Sequence, residues 1–129
     1  MKHMKLTLFL LLLVLLASCS QEEGPEIESG ITGKWQLAEF LSDPGDGSGV
    51  FQPATIDKTI TFFSDLTFES NSSMCNINDG GSQGDYDPET MIIAPENCTF
   101  RITFKHENSK LLLYYPCIEP CAEKYEKIE

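Results

Sequence analysis

The sequence predicts an all-β protein, a small eight-stranded antiparallel barrel in which consecutive strands lie side by side. After Gly30, short apolar and β-branched runs alternate with turn residues, and no stretch keeps the spacing of an amphipathic helix. Eight such runs fit into fewer than 100 residues, and consecutive strands usually pair. Because an open sheet of this size would expose two unpaired edges, an up-and-down barrel, completely or partly closed, is favoured.

Each predicted strand is bounded by residues that favour turns. The eight strands span residues 32–41, 56–63, 66–75, 84–87, 91–95, 99–105, 110–115 and 122–128. A long loop rich in Gly, Pro, Asp and Ser separates the first two strands, and a Gly-rich loop separates the third and fourth. Short polar turns follow the second, fourth and sixth strands, as is typical of hairpins.

Alternation within the strands indicates which residues face the interior. The first strand alternates around Trp35, and the second places three apolar residues on one face, namely Ile56, Ile60 and Phe62. The third follows a Ser-Asp turn, and the fourth and fifth flank a Pro-Glu-Thr turn. The sixth alternates most clearly, with Phe100, Ile102 and Phe104 inward, and the last two are joined by the Pro-containing segment 117–121.

Strand parity assigns every loop to one end of the barrel. Since chain direction reverses at each turn, the loops at 42–55, 76–83, 96–98 and 117–121 share one end. The short turns lie at the other end, beside Trp35. We therefore expect a closed end at Trp35 and an open mouth opposite it.

The amino terminus has the order of a secretory signal peptide. Basic residues precede an apolar run that covers residues 6–17, about twelve residues, whereas a membrane-spanning helix needs roughly 20. The following Leu16-Ala17-Ser18-Cys19 resembles the lipobox of bacterial lipoproteins. This resemblance implies removal of residues 1–18, a diacylglycerol group on the Cys19 sulfur, a fatty acyl chain such as palmitate on the new amino terminus, and attachment to a membrane. A plain secretory signal is the alternative.

Residues 19–30 read as an acidic, flexible tether. The stretch after Cys19 also resembles a surface-export signal of some Gram-negative bacteria, and plain linker and export signal both stay open. Of nine basic residues, loss of Lys2 and Lys5 with the signal leaves seven against twenty acidic ones, a net charge of −13. This charge argues against nucleic-acid partners and against adhesion to anionic lipid.

The remaining cysteines, Cys75, Cys98, Cys117 and Cys121, are even in number, which in an exported chain favours two disulfides. Three pairings are open, and we favour Cys75–Cys98 with Cys117–Cys121. The second pair requires a tight loop, because on an extended strand these cysteines would lie ~13 Å apart. No Cys-x-x-Cys spacing occurs, so we expect no metal site.

Gly33-Lys34-Trp35 resembles the Gly-x-Trp motif that opens the first strand of lipocalins. The run Lys58-Thr59-Ile60-Thr61-Phe62 and the ending from Cys117 to Tyr125 also resemble small lipocalin-like lipoproteins of Gram-negative bacteria. The resemblance covers the predicted domain, residues 31–129, and implies an eight-stranded barrel whose tryptophan packs across the closed end. It also implies an arginine stacked on that tryptophan, and no arginine of the sequence can be assigned to this role.

Two functions are compatible with such a barrel. It can bind a small apolar ligand at its mouth, with a predicted site that comprises Phe51, Phe62, Phe104 and Tyr115. Alternatively, a filled barrel can contact another envelope protein through its acidic, disulfide-bonded loops. A cavity of ~300 Å³ or more favours the ligand.

Enzymatic chemistry is not expected. His106, the single histidine left after signal removal, lies in a turn-like stretch, so we expect no Ser-His-Asp arrangement, and no phosphate-binding Gly-rich loop precedes a helix. The loops at 43–47 and 76–80 resemble calcium loops in composition but lack the alternating oxygen ligands and closing glutamate. We expect no cofactor.

Overall fold

A computed structural model describes residues 30–75, 81–107 and 109–129, which form one sheet of nine strands. The strands are β1 (Gly33–Ser42), β2 (Gln52–Pro53), β3 (Thr59–Phe62), β4 (Thr67–Ser70), β5 (Gln83–Asp87), β6 (Ile92–Pro95), β7 (Ile102–Glu107), β8 (Lys110–Tyr114) and β9 (Cys121–Lys127). Within the described ranges, no helix is long and apolar enough to cross a membrane. The predicted signal peptide and all but the last residue of the predicted tether lie outside the described residues.

Eight of these strands form a closed antiparallel barrel, which confirms the predicted fold. Strands β3 to β9 pair in sequence order, β1 pairs with β3, and a long pairing of β1 with β9 closes the cylinder. The ninth strand, β2, lies in the predicted loop 42–55 and pairs with β1 at Glu39 and Phe40. The sequence did not indicate β2, because two exposed residues carry no alternation.

A bulge in β1 changes which residues face inward near the mouth. The register with β9 shifts between Leu37 and Glu39, so Ala38 is an extra residue in β1. Without the shift, Glu39 would follow Leu37 on the inner face. With it, Glu39 pairs with Lys124 on the outer face, and Phe40 lies opposite Glu123 on the inner face.

Apolar side chains fill the barrel from its closed end to its middle. The largest of those that are fully buried are Trp35, Tyr125, Phe62, Phe68, Ile60, Ile93, Ile102, Leu111 and Leu113. Of the inward residues predicted on the sixth strand, Ile102 and Phe104 are buried, and Phe100 packs against this core while partly exposed. At ~25 cal/mol per Å², such side chains contribute roughly 1.5–3 kcal/mol each.

The prediction that Ile56 faces inward is wrong. Strand β3 begins only at Thr59, and the side chain of Ile56 is 61% exposed. The inward position before Ile60 belongs instead to Lys58, which is buried. The alternation of a strand places Lys58 on the same face as Ile60. Because a charged side chain is not expected at an inward position, the sequence pattern did not indicate Lys58 as an interior residue.

The register confirms the predicted distribution of loops between the two ends. Gly33 pairs with Phe62 near the Trp35 end, while Ser42 pairs with Cys121 at the opposite end. The strand ends that flank the turns after β3, β5 and β7 therefore lie beside Trp35, and those that flank the longer connections lie at the mouth.

Trp35 seals the closed end. Its Nε1 donates to the Ile31 carbonyl at 2.7 Å, and its ring meets His106 edge-on with 5.4 Å between centroids. The Lys127 Nζ lies 5.8 Å from the Trp35 ring centre. This lysine on the last strand provides the cation–π contact for which the sequence offered no arginine. Gly33 has φ +121° and lies against the Glu129 carbonyl, so a side chain there would clash.

Candidate functional site

A cavity of about 360 Å³ opens at the mouth of the barrel. Its apolar lining includes Phe40, Leu41, Met74 and Phe100. Met74 is buried and Phe100 is partly buried against the core, so the walls continue the apolar interior. The volume exceeds the ~300 Å³ that small-molecule sites commonly need.

An ion pair forms the floor of this cavity. The Lys58 Nζ lies 2.9 Å from each carboxylate oxygen of Glu123. The Lys58 side chain is 7% exposed and that of Glu123 is 18% exposed. Glu123 lies opposite the fully buried Leu113 on the neighbouring strand, which places its side chain on the inner face.

Two tyrosines, Tyr115 in the cavity lining and the fully buried Tyr125, donate to the same carboxylate oxygen of Glu123. The hydroxyl of Tyr115 lies 2.5 Å from Glu123 Oε2, and that of Tyr125 lies 2.6 Å from it. Lys58 also donates to the Tyr115 hydroxyl at 3.3 Å. We call Lys58, Tyr115, Glu123 and Tyr125 the floor cluster. Buried charges of opposite sign that are paired and hydrogen-bonded in this way avoid the penalty of an isolated buried charge.

The electrostatics of the floor cluster keep both tyrosines protonated. Burial, reinforced by the nearby Glu123 carboxylate, raises the pKa of Tyr115 and the pKa of Tyr125 far above the ordinary value of 10. Neutral phenols that already donate to a carboxylate are poor nucleophiles and poor bases. The arrangement is therefore suited to hydrogen bonding rather than to proton transfer.

Two disulfides hold the rim of the mouth, in the pairing that was favoured from the sequence. Cys75 pairs with Cys98, and Cys117 with Cys121, with Cα–Cα distances of 5.8 Å and 6.0 Å. Of the two, only Cys117–Cys121 is called the rim disulfide below. Its loop is tied to Tyr115, whose amide donates to the Cys121 carbonyl at 3.3 Å and whose carbonyl accepts from the Cys117 amide at 2.9 Å.

The predicted site residues lie in three different places. Tyr115 lines the cavity as predicted. Phe62 instead packs near the closed end, with ring centres 5.0 Å from Tyr86, and Phe104 is buried in the core opposite Leu113. Alternation indicates only whether a residue faces inward and not how deep it lies, so the prediction placed both too near the mouth.

Phe51 does not reach the cavity either. Its ring lies 4.1 Å from Nζ of Lys124, whose side chain pairs with Glu39 on the outer face of β1 and β9. Within the predicted loop 42–55, β2 pairs edge to edge with β1 and extends the barrel wall there. An apolar residue in a loop can lie on either side of a barrel wall, so the sequence did not determine on which side the Phe51 ring packs.

The site residues that the sequence did not predict include Lys58, Met74, Phe100 and Glu123. Lys58 could have been found, because it shares the phase of Ile60 and Phe62 in an apolar strand. Glu123 carried no such signal, since the last strand has charged residues at both parities.

The loop after β1 is organised by one carboxylate. Asp43 accepts from the amides of Gly45 at 2.7 Å, Gly47 at 3.1 Å and Gly49 at 2.7 Å. These hydrogen bonds, led by that of Gly45, lower the pKa of Asp43. Its oxygens accept from amides, which is the arrangement of a turn.

Within the described part of the chain, no three or more His, Cys, Asp or Glu side chains are grouped so that they could hold a metal ion. Comparison with protein-family models, curated proteins and solved structures finds no significant match to the chain. The geometry of the mouth is therefore the basis for assigning a function.

Proposed function

We propose that this protein is a lipid-anchored, lipocalin-like lipoprotein of the bacterial cell envelope that binds a small, largely apolar ligand in the barrel mouth. The observation that carries the proposal is the cavity of about 360 Å³ above the floor cluster. Small-molecule sites combine apolar walls with a few fixed polar groups, and this cavity has both. A barrel filled up to its rim, which would favour a purely structural role, is disfavoured by this open volume.

The proposed location rests on the sequence and on the bridges. Leu16-Ala17-Ser18-Cys19 resembles a lipobox, and the two disulfides are of the kind that persists in an oxidising compartment. The proposed tether joins the barrel at Gly30, at the closed end. The mouth then points away from the membrane, and we place the protein at the outer membrane, exposed to the surface.

Ligand binding is tested by native mass spectrometry and by titration with the neutral fluorescent probe N-phenyl-1-naphthylamine. Native spectra of protein from its own host should show a bound small molecule. Phe100→Ala removes one apolar wall of the cavity and should weaken probe binding at least about tenfold, since one side chain of apolar contact is lost. Leu112→Ala on the outer face is the matched control and should bind like the wild type. Equal binding by both variants, or none by the wild type, would refute the proposal.

Anchoring is tested separately by cell fractionation. The wild-type protein should partition with membranes and carry acyl chains by intact-mass measurement, whereas Cys19→Ala should be released in soluble form. A soluble, unacylated wild type would contradict the anchor without affecting the binding site.

A further inference from the structure

The floor cluster is electrically balanced, which restricts the ligands that it can accept. The Lys58 ammonium has three protons and three acceptors, the two oxygens of Glu123 and the hydroxyl of Tyr115. Its charge is compensated by Glu123, and both phenols are neutral. An incoming group therefore meets a floor with no net charge and no lysine proton left over.

The two carboxylate oxygens of Glu123 accept different numbers of hydrogen bonds. Oε2 accepts from Lys58, Tyr115 and Tyr125. Among the described residues, Oε1 accepts from Lys58 alone. Each carboxylate oxygen has two lone pairs, so Oε2 is fully used whereas Oε1 has used only one. Oε1 thus keeps acceptor capacity, on a side chain that lines the cavity and is 18% exposed.

We propose that the ligand is an uncharged molecule with an apolar body and a terminal O–H or N–H group, which donates a hydrogen bond to Glu123 Oε1. The proposal rests on the proposed function and defines the chemistry of its ligand. The apolar body packs against Met74, Phe100 and Phe40, and the donor reaches the floor. The hydrogen bond is charge-assisted, because its acceptor is a carboxylate.

Charged end groups fit this floor less well. A ligand carboxylate would meet the carboxylate of Glu123, and the three protons of Lys58 that could compensate it already have acceptors. A ligand ammonium that reached Oε1 would lie beside the ammonium of Lys58, which is 2.9 Å from the same oxygen. Like charges at such distances are unfavourable in a partly desolvated site.

The proposal is tested with four eight-carbon probes that compete with N-phenyl-1-naphthylamine. Octan-1-ol donates a hydrogen bond, and 1-methoxyheptane has the same number of heavy atoms without the donor. Octanoate and octylamine supply the two charges. Octan-1-ol should bind at least about tenfold more tightly than the ether and than octanoate, and more tightly than octylamine, because a hydrogen bond to a charged acceptor is lost or a like charge is introduced.

Glu123→Gln locates the effect. This variant should reduce the preference for the alcohol over the ether to below about threefold, since the charged acceptor is gone. Glu126→Gln on the outer face of the same strand is the matched control and should keep the full preference. If Glu123→Gln does not fold, nuclear Overhauser contacts in the wild type replace it. They should join the CH₂ next to the octanol hydroxyl to Glu123, and the octanol methyl to Met74.

The outcomes separate this inference from the proposed function. If octanoate or the ether competes as well as octan-1-ol, the cavity binds ligands but the donor assignment is wrong. The donor assignment is also wrong if the octanol methyl contacts Glu123 and the CH₂ next to the hydroxyl contacts Met74. If N-phenyl-1-naphthylamine binds and none of the four probes competes with it, the donor assignment alone fails, and if N-phenyl-1-naphthylamine does not bind either, both proposals fail.

Discussion

Breaking the ion pair between Lys58 and Glu123 should destabilise the barrel by about 3 kcal/mol. At 2.9 Å between Lys58 Nζ and the carboxylate, an effective dielectric constant of 20 gives an attraction of about 6 kcal/mol. Part of it is offset by the desolvation of two charges, and removal of one partner from a buried pair typically costs about 3–5 kcal/mol. We use the lower figure because the Glu123 side chain is 18% exposed.

The perturbation is Lys58→Met, which keeps the aliphatic stem and leaves the Glu123 carboxylate with its two tyrosine donors. Urea denaturation with the disulfides intact, followed by the fluorescence of the buried Trp35, gives the free energy of unfolding. With a slope of roughly 1.5 kcal/mol per M, the midpoint should fall by roughly 2 M. Glu123→Gln and the double variant complete a thermodynamic cycle.

The cycle distinguishes the ion pair from general damage to the core. Since each single variant leaves a partly buried charge unpaired, the double variant should lose about 2 kcal/mol less than the sum of the single losses. Additive losses, with a coupling below about 0.5 kcal/mol, would refute the reasoning, because they would mean that the two side chains act independently.

Three further predictions concern stability. The stabilisation linked to Tyr115 and Tyr125 should be complete below pH 10, the ordinary tyrosine pKa that applies to the unfolded chain. Above pH 10 the unfolded chain loses these protons while the folded protein, with its raised tyrosine pKa values, keeps them. The free energy of unfolding should therefore fall by about 1.4 kcal/mol per pH unit for each tyrosine. Urea titrations at pH 9 and 11 give the loss of unfolding free energy between these two pH values. This loss should be half as large in Tyr125→Phe as in the wild type, and an equal loss in both proteins would contradict the prediction. Met91→Gly should gain about 0.5–1 kcal/mol in thermal unfolding, since Met91 has φ +58° and is 46% exposed; a loss would show that its side chain packs. Replacing Cys75 and Cys98 by Ala should cost about 3 kcal/mol of unfolding free energy, against about 2 for the rim disulfide, because the sequence separations are 23 and 4; equal losses would refute the loop-entropy reasoning.

The fold was predictable from the sequence because each of its determinants is local. Alternation marked the strands, turn residues marked their ends, and strand parity divided the loops between mouth and closed end. The same parity placed four cysteines at the mouth, where both bridges formed. The bulge at Ala38 and the short strand β2 were missed, because both arise where β1 meets its neighbours and not from a local pattern.

The candidate site was predictable only in part. Tyr115 was placed correctly, while Phe62 and Phe104 proved too deep and Phe51 lies outside the wall. Alternation along a strand indicates whether a residue faces the interior or the outside, but not how far along the barrel axis it lies. Height depends on strand tilt and register, which are set when the whole sheet closes.

By itself, the sequence determined the class of fold, the order of the strands and the end at which the cysteines lie. Only the tertiary structure decided that a lysine and a glutamate 65 positions apart meet inside the barrel. A buried charge is unfavourable until its partner arrives, and here β9, paired with both β1 and β8, carries that partner. The polar floor of the mouth is thus a product of barrel closure, whereas the barrel itself follows from local alternation.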